Sequence, residues 1–210
     1  MSKLEIDSRV YRLFGLTPIL GSLPANRELR STYITSKAPM IGTNDEDANI
    51  PQIENENGLT VFNRNNLDQL CIMGYQVKGF FKAAFSAIRS QYRIYAYKSK
   101  VDLMLFVEPR FIPLLRDGKP IMQEDDLLER PIRLNFKGAE YTSLKASEMV
   151  LDPWSVEIEI SLLPTEQKKG DKSAPLDWKA VETALEYGQY HGLGQWRNAD
   201  YGRFIMERIG

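Results

Sequence analysis

The stretch WSVEIEISLL, Trp154 to Leu163, constrains this chain more than any other. Val156, Ile158 and Ile160 alternate with Glu157, Glu159 and Ser161, so one face of an extended strand is apolar and the other polar. A strand of this kind sits in a sheet that is covered on one side and wet on the other. Something with an apolar stripe of its own must do the covering.

Two segments have that stripe. In YQVKGFFKAAFSAIR, Tyr75 to Arg89, the residues Val77, Phe80, Phe81, Ala84, Phe85 and Ile88 recur at helical spacing. Lys78, Lys82 and Arg89 fall within about 40° of one another beside that face, at 100° per residue. The second helix starts at Asp177, a residue suited to capping, and places Trp178, Val181, Leu185 and Gly188 on one side. VYRLFGLTPILGS, Val10 to Ser22, reads as a first strand stopped by Pro18 and Gly21. YRIYAYKSKVDLMLFVEP, Tyr92 to Pro109, is rich in aromatic and branched residues and reads as a strand. Residues 130–150 suggest a hairpin about Lys137 and Gly138, and YGRFIMERI suggests a last strand. The order strand, helix, strand, hairpin, strand, helix, strand defines an α+β chain. Without its insertions it follows the ferredoxin-like or RRM-like plan, an antiparallel sheet with two helices on one face. The expectation is a single domain over residues 1–210, with a long loop insertion at about 23–70 and a hairpin insertion at about 128–150.

Bulk properties narrow the chemistry. With 210 residues, 43% hydrophobic and 26% charged, the chain can bury one sizeable core. No apolar run approaches the roughly 20 residues of a membrane helix, and the first residues lack a signal-peptide pattern. A lone cysteine, Cys71, cannot form an internal disulfide, so the expected location is the cytoplasm, with no membrane partner. One histidine and one cysteine argue against a zinc site, and no cofactor or metal is expected. The net charge of −1 hides an uneven distribution. Cys71 to Lys100 holds six basic and no acidic residues, whereas Asn44 to Asn57 holds five acidic and no basic ones.

Three stretches carry a family pattern. LTPILGS ends the first strand, GYQVKGFFKAA opens the first helix, and GLGQWRNADYGRF joins the second helix to the last strand. Together they resemble the RAMP superfamily of CRISPR effector proteins, and in particular the backbone subunits that line guide RNA. Gly74, Lys78 and Gly79 match the family's glycine-rich helix start, Lys82 stands where an arginine is usual, and two serines are absent. Tyr201, Gly202 and Arg203 keep three residues of its final Gly-Tyr-Gly-Arg, with Asp200 in place of the first glycine.

The resemblance implies a subunit that holds guide RNA by its phosphates, polymerises along it and contacts other CRISPR effector subunits. The residues it points to for RNA are Gly74, Lys78, Gly79, Lys82 and Arg89 on the first helix. From the last loop it points to Gly192, Gly194, Trp196, Arg197, Tyr201 and Arg203. Glycines admit close approach, cations pair with phosphate, and Trp196 or Tyr201 can stack on a base. Arg133, Lys137 and Lys145 would serve a hairpin thumb. Two alternatives remain open. One is an endoribonuclease of the same fold, using His191 as acid/base or Asp45 and Asp47 with a metal. The other is a RAMP-like protein that docks on such a complex, or mimics one of its subunits, without binding RNA.

Overall fold

The structure is a computed structural model, which describes residues 6–25, 59–136, 139–163 and 173–210, with the side chains of 132–144 left aside. Strand β1 (Asp7–Gly15) opens the chain, followed by the short strands β2 (Ile19–Leu20) and β3 (Leu23–Pro24). Strands β4 (Leu59–Val61), β5 (Asn63–Arg64) and β6 (Leu70–Met73) lead directly into helix α1 (Gly74–Tyr92). Helix α2 (Tyr97–Met104) runs on into β7 (Leu105–Glu108), and three short strands follow: β8 (Phe111–Pro113), β9 (Leu115–Arg116) and β10 (Lys119–Pro120). Long strands β11 (Asp126–Phe136) and β12 (Ala139–Val150) form a hairpin. Strand β13 (Ser155–Leu162), helix α3 (Trp178–Glu186) and strand β14 (Phe204–Arg208) complete the chain.

The fold is α+β. In the main sheet the strands run in the order β14, β1, β13, β7, every neighbour antiparallel, with β9 and β10 continuing from β13 near Ser155. The expected alternation holds on β13: Val156, Ile158 and Ile160 are fully buried, while Glu157 and Glu159 are exposed. Against that face lie Val77, Phe80, Phe81, Ala84 and Phe85 of α1 and Ala180, Val181, Ala184 and Leu185 of α3, all in one cluster. Phe80 meets Phe204 of β14 with ring centroids 5.1 Å apart, so α1 is clamped to the edge strand. Each such buried aromatic contributes about 1.5–3 kcal/mol over an exposed one. Both helices thus cover one face.

Local chemistry sets the ends of the helices. Asp177 caps α3 as expected, its carboxylate accepting the Ala180 N–H at 2.8 Å. Helix α1 stops at Arg93, which turns into the left-handed region at φ 53°. Glu182 of α3 accepts from both Arg9 (2.7 Å) and Tyr11 (2.9 Å) of β1, fastening that helix to the sheet. Burial, reinforced by the bond to Glu182, pushes the Tyr11 hydroxyl up to about 12.

The structure corrects three expectations about the segments. Tyr92 to Pro109 is not one strand: residues 97–104 are helical, and only Leu105–Glu108 is extended. Tyr97, Val101 and Met104 point into the core at i, i+4 and i+7, a helical period that the aromatic and branched composition masked. Val10 to Ser22 is not one strand either. The chain bends after Gly15, and Ile19–Leu20 pairs with β12 in a second sheet, because Pro18 has no N–H with which to continue the ladder. The supposed loop 23–70 carries β3 through β6 at its ends, and residues 26–58 lie outside the described part. The hairpin is real and longer than expected, with Phe136 opposite Ala139. Its sheet includes one parallel pair, Ala146 with Leu59 and Ser147 with Thr60.

Replacing Asp177 by Ala should cost about 1 kcal/mol, the usual value of an N-cap. Urea denaturation would show this as a lower midpoint with an unchanged slope.

Candidate functional site

The loop between α3 and β14 is built around close backbone contacts. Leu193 N–H donates to Gly202 O at 2.8 Å, and Gly202 N–H donates to Pro18 O at 2.7 Å. Thr17 donates its hydroxyl proton to Asp200 O and accepts from the Arg203 N–H. The loop is therefore moulded onto the bend between β1 and β2. A Cβ on Gly192 would lie 2.1 Å from Tyr201 O, and one on Gly202 would lie 2.0 Å from Leu193 O. Gly202 also has φ +71°, so both steric room and backbone conformation demand glycine there. Gly194 packs on Leu20 O in the same way.

This packing displays two aromatic rings and several cations. Trp196 stacks on Tyr201 at 5.4 Å, with planes 11° apart, and Trp196 remains 42% exposed. The Arg130 guanidinium of β11 lies over the Trp196 ring at 4.1 Å. Gln195 accepts from Thr60 (2.9 Å) and Ser147 (3.2 Å), anchoring the loop to β4 and β12. Among the described residues the buried polar side chains are Thr60, Arg130 and Ser147, and all three belong to this junction. Arg203 donates from Nε to Gln189 O at 2.6 Å and lies 3.8 Å from Asp200, so it braces the loop.

His191 stacks on Tyr187 at 5.7 Å, and its buried Nε2 has no hydrogen-bond partner. Burial, with the Arg197 charge nearby, holds its pKa below the ordinary value, so the ring is neutral at pH 7. Stability follows with a definite sign. The unfolded chain protonates first as pH falls, so the contribution of this histidine is complete above the unfolded value near 6.5 and is lost below it.

The helix start lies beside the loop. Gln76 donates to Ser22 Oγ, two residues from the Leu20 carbonyl that Gly194 touches. The N–H groups of the helix start are partly spent, however: Gly74 N–H donates to Arg110 O at 3.0 Å, and Met73 N–H donates to Gln76 Oε1 at 2.7 Å. Lys78 and Lys82 turn toward α2. Lys82 pairs with the Asp102 carboxylate at 3.0 Å, while Lys78 reaches the Asp102 carbonyl at 3.3 Å and lies over Phe106 at 5.4 Å. Burial lowers the Lys78 pKa. Arg89 is exposed fifteen residues along the helix, about 22 Å from Gly74 at 1.5 Å per residue. The structure thus gathers Gly192, Gly194, Trp196, Arg197, Tyr201 and Arg203 at one junction and sends Lys78, Lys82 and Arg89 elsewhere.

Gly79 meets nothing within 4 Å, so no neighbouring backbone requires a glycine there. Arg130 was missed in the sequence because its neighbourhood reads as a surface hairpin, and only the tertiary contact with Trp196 singles it out. Asp45, Asp47 and Lys137 lie outside the described residues, as does the side chain of Arg133.

No protein-family model and no curated protein sequence matches the chain. Among solved structures the chain is similar to one in a cryo-EM structure of the type III-B Cmr-beta bound to cognate target RNA. The TM-score is 0.45 at 9% identity, over 99% of this chain and 60% of that one. This protein thus spans about 60% of the length of the chain it matches.

Two outcomes are expected. Gly79→Ala should raise stability by roughly 0.5–1 kcal/mol, the helix-propensity gain, whereas Gly202→Ala should lower it by more than that. Urea titration of both variants checks the contrast. Between pH 7.5 and 5.5 the wild type should lose stability that His191→Phe, which keeps a ring against Tyr187, does not lose; midpoints at the two pH values measure it.

Proposed function

We propose that this chain is an RNA-binding subunit of a CRISPR-type ribonucleoprotein, built on a ferredoxin-like scaffold. It would hold guide RNA through phosphate contacts and repeat along the strand beside other effector subunits. The observation that carries this reading is the loop junction, where the Trp196–Tyr201 stack stands at the surface with Arg130 against it and Arg197 next in sequence. Stacked aromatics beside arginines suit an unpaired strand, since every base has a face to stack and every nucleotide a phosphate. The three family-like stretches support the same reading. Two of them, the first-strand bend and the last loop, touch through Gly202 and Pro18, and the helix start reaches that bend through Gln76 and Ser22.

The site favours holding over cutting. A neutral, half-buried His191 is poorly placed to exchange protons with a strand outside. Arg197 keeps its charge at any physiological pH and offers a planar fork for phosphate oxygens.

The test is binding of a labelled single-stranded RNA at several salt concentrations. Arg197→Ala should weaken binding about ten- to hundredfold, the effect of a charge-assisted contact worth roughly 1.5–3 kcal/mol. It should also flatten the slope of log affinity against log salt by about one contact. His191→Ala should bind like the wild type and leave the RNA intact. RNA cut by the wild type and spared by His191→Ala would turn the reading toward a nuclease. No RNA bound by a folded wild type would turn it toward a docking protein.

A further inference from the structure

Arg130 and Lys145 stand directly opposite each other on β11 and β12. Like charges facing each other across a ladder repel, and a folded chain keeps such a pair only against a cost. Arg130 is 8% exposed, and its NH1 is buried with no hydrogen-bond partner. Trp196 offers the guanidinium a ring face, which attracts a cation but accepts none of its in-plane N–H donors.

No carboxylate answers these charges among the described residues. The neighbouring acids are on the wrong side: Glu129 adjoins Arg130 in an alternating strand and is exposed, and Glu148, three residues from Lys145, gives its carboxylate to the Phe62 N–H at 2.7 Å. The residues sharing the face of Arg130 and Lys145 at the next pair are Leu128 and Ser147, neither of them acidic. Burial lowers the pKa of both cations; the Arg130 charge lowers that of Lys145 further, and the Tyr201 hydroxyl works against the lowering at Arg130.

We infer that Arg130 and Lys145, with Trp196 against the guanidinium, form a binding site for a phosphate group at the joint between the hairpin and the glycine loop. The guanidinium supplies a directional donor pair and the lysine a second positive charge, the combination that phosphate recognition uses. Because Trp196 belongs to the loop and both cations to the hairpin, the site lies where the two meet. The phosphate could be free or part of a nucleic-acid strand. The second source rests on the RNA-binding reading above, whereas the site itself does not.

The experiment compares the wild type with Arg130→Met and Lys145→Met, in which an apolar chain of similar length replaces each charge. Thermal unfolding is followed in chloride, with inorganic phosphate at matched ionic strength, and with a short single-stranded RNA; binding of the RNA is measured in parallel. In chloride alone both variants should melt no lower than the wild type, since an unpaired charge has been removed. Phosphate should raise the wild-type Tm in a saturable, concentration-dependent way and raise the Tm of Arg130→Met only by the small nonsaturable increment of an excluded salt. RNA affinity should fall about tenfold in each variant, with a salt slope shallower by about one. A wild type stabilised by phosphate that binds no RNA would keep the site and sink the RNA reading. RNA bound equally by wild type and variants, with no specific phosphate effect, would sink the site and leave the RNA reading standing. If instead a synthetic peptide of residues 44–57 stabilises the wild type where phosphate does not, the cations serve the chain's own acidic segment and the proposal fails.

Discussion

Thr60, Ser147 and Gln195 form the contact on which the candidate site depends. Their hydrogen bonds join the loop before β14, the hairpin strand β12 and the short strand β4 in a buried position. A buried hydroxyl left without a partner costs about 1–3 kcal/mol, so the three groups hold one another in a single arrangement. That arrangement sets Trp196 against Arg130 and gives the loop its outward aromatic stack.

The bend between β1 and β2 does comparable work from below. Trp154 fills the space over Gly15, where an added Cβ would fall 2.2 Å from its ring, and its indole N–H donates to Thr17 O at 2.8 Å. Thr17 and Pro18 in turn bind the loop backbone. A Pro and a Gly near the end of a first strand thus act at a distance. The chain is steered into the second sheet, and Pro18 presents its carbonyl to Gly202, in a loop more than 170 residues later in the sequence.

Charge is distributed in the same spirit. Lys78 and Lys82 lie on the flank of α1 that meets α2, where Asp102 engages both. The cations of the hairpin base face no such acid among the described residues. The basic stretch that stands out in the sequence is therefore partly neutralised by a neighbouring helix, while two cations in a mixed-charge hairpin are left electrostatically hungry. Local field, rather than a count of charges, separates the two groups.

Much of the scaffold was legible in the sequence, because periodicity reports burial directly. The alternation at Val156, Ile158 and Ile160, the stripe from Val77 to Phe85 and the cap at Asp177 each describe a local geometry that the core then uses. The glycine-rich loop between the second helix and the last strand was legible, but what its glycines approach was not: Gly192, Gly194 and Gly202 close on the chain's own backbone. The helix from Tyr97 to Met104 was obscured because its composition suits strands, and its period spans only two turns. Tertiary structure alone decided which cations are paired. Lys82 meets Asp102 across a helix–helix contact, and Arg130 meets Trp196 across 66 residues of chain. Side-chain partners of that kind depend on how elements pack, and neither spacing nor composition encodes the facing residue.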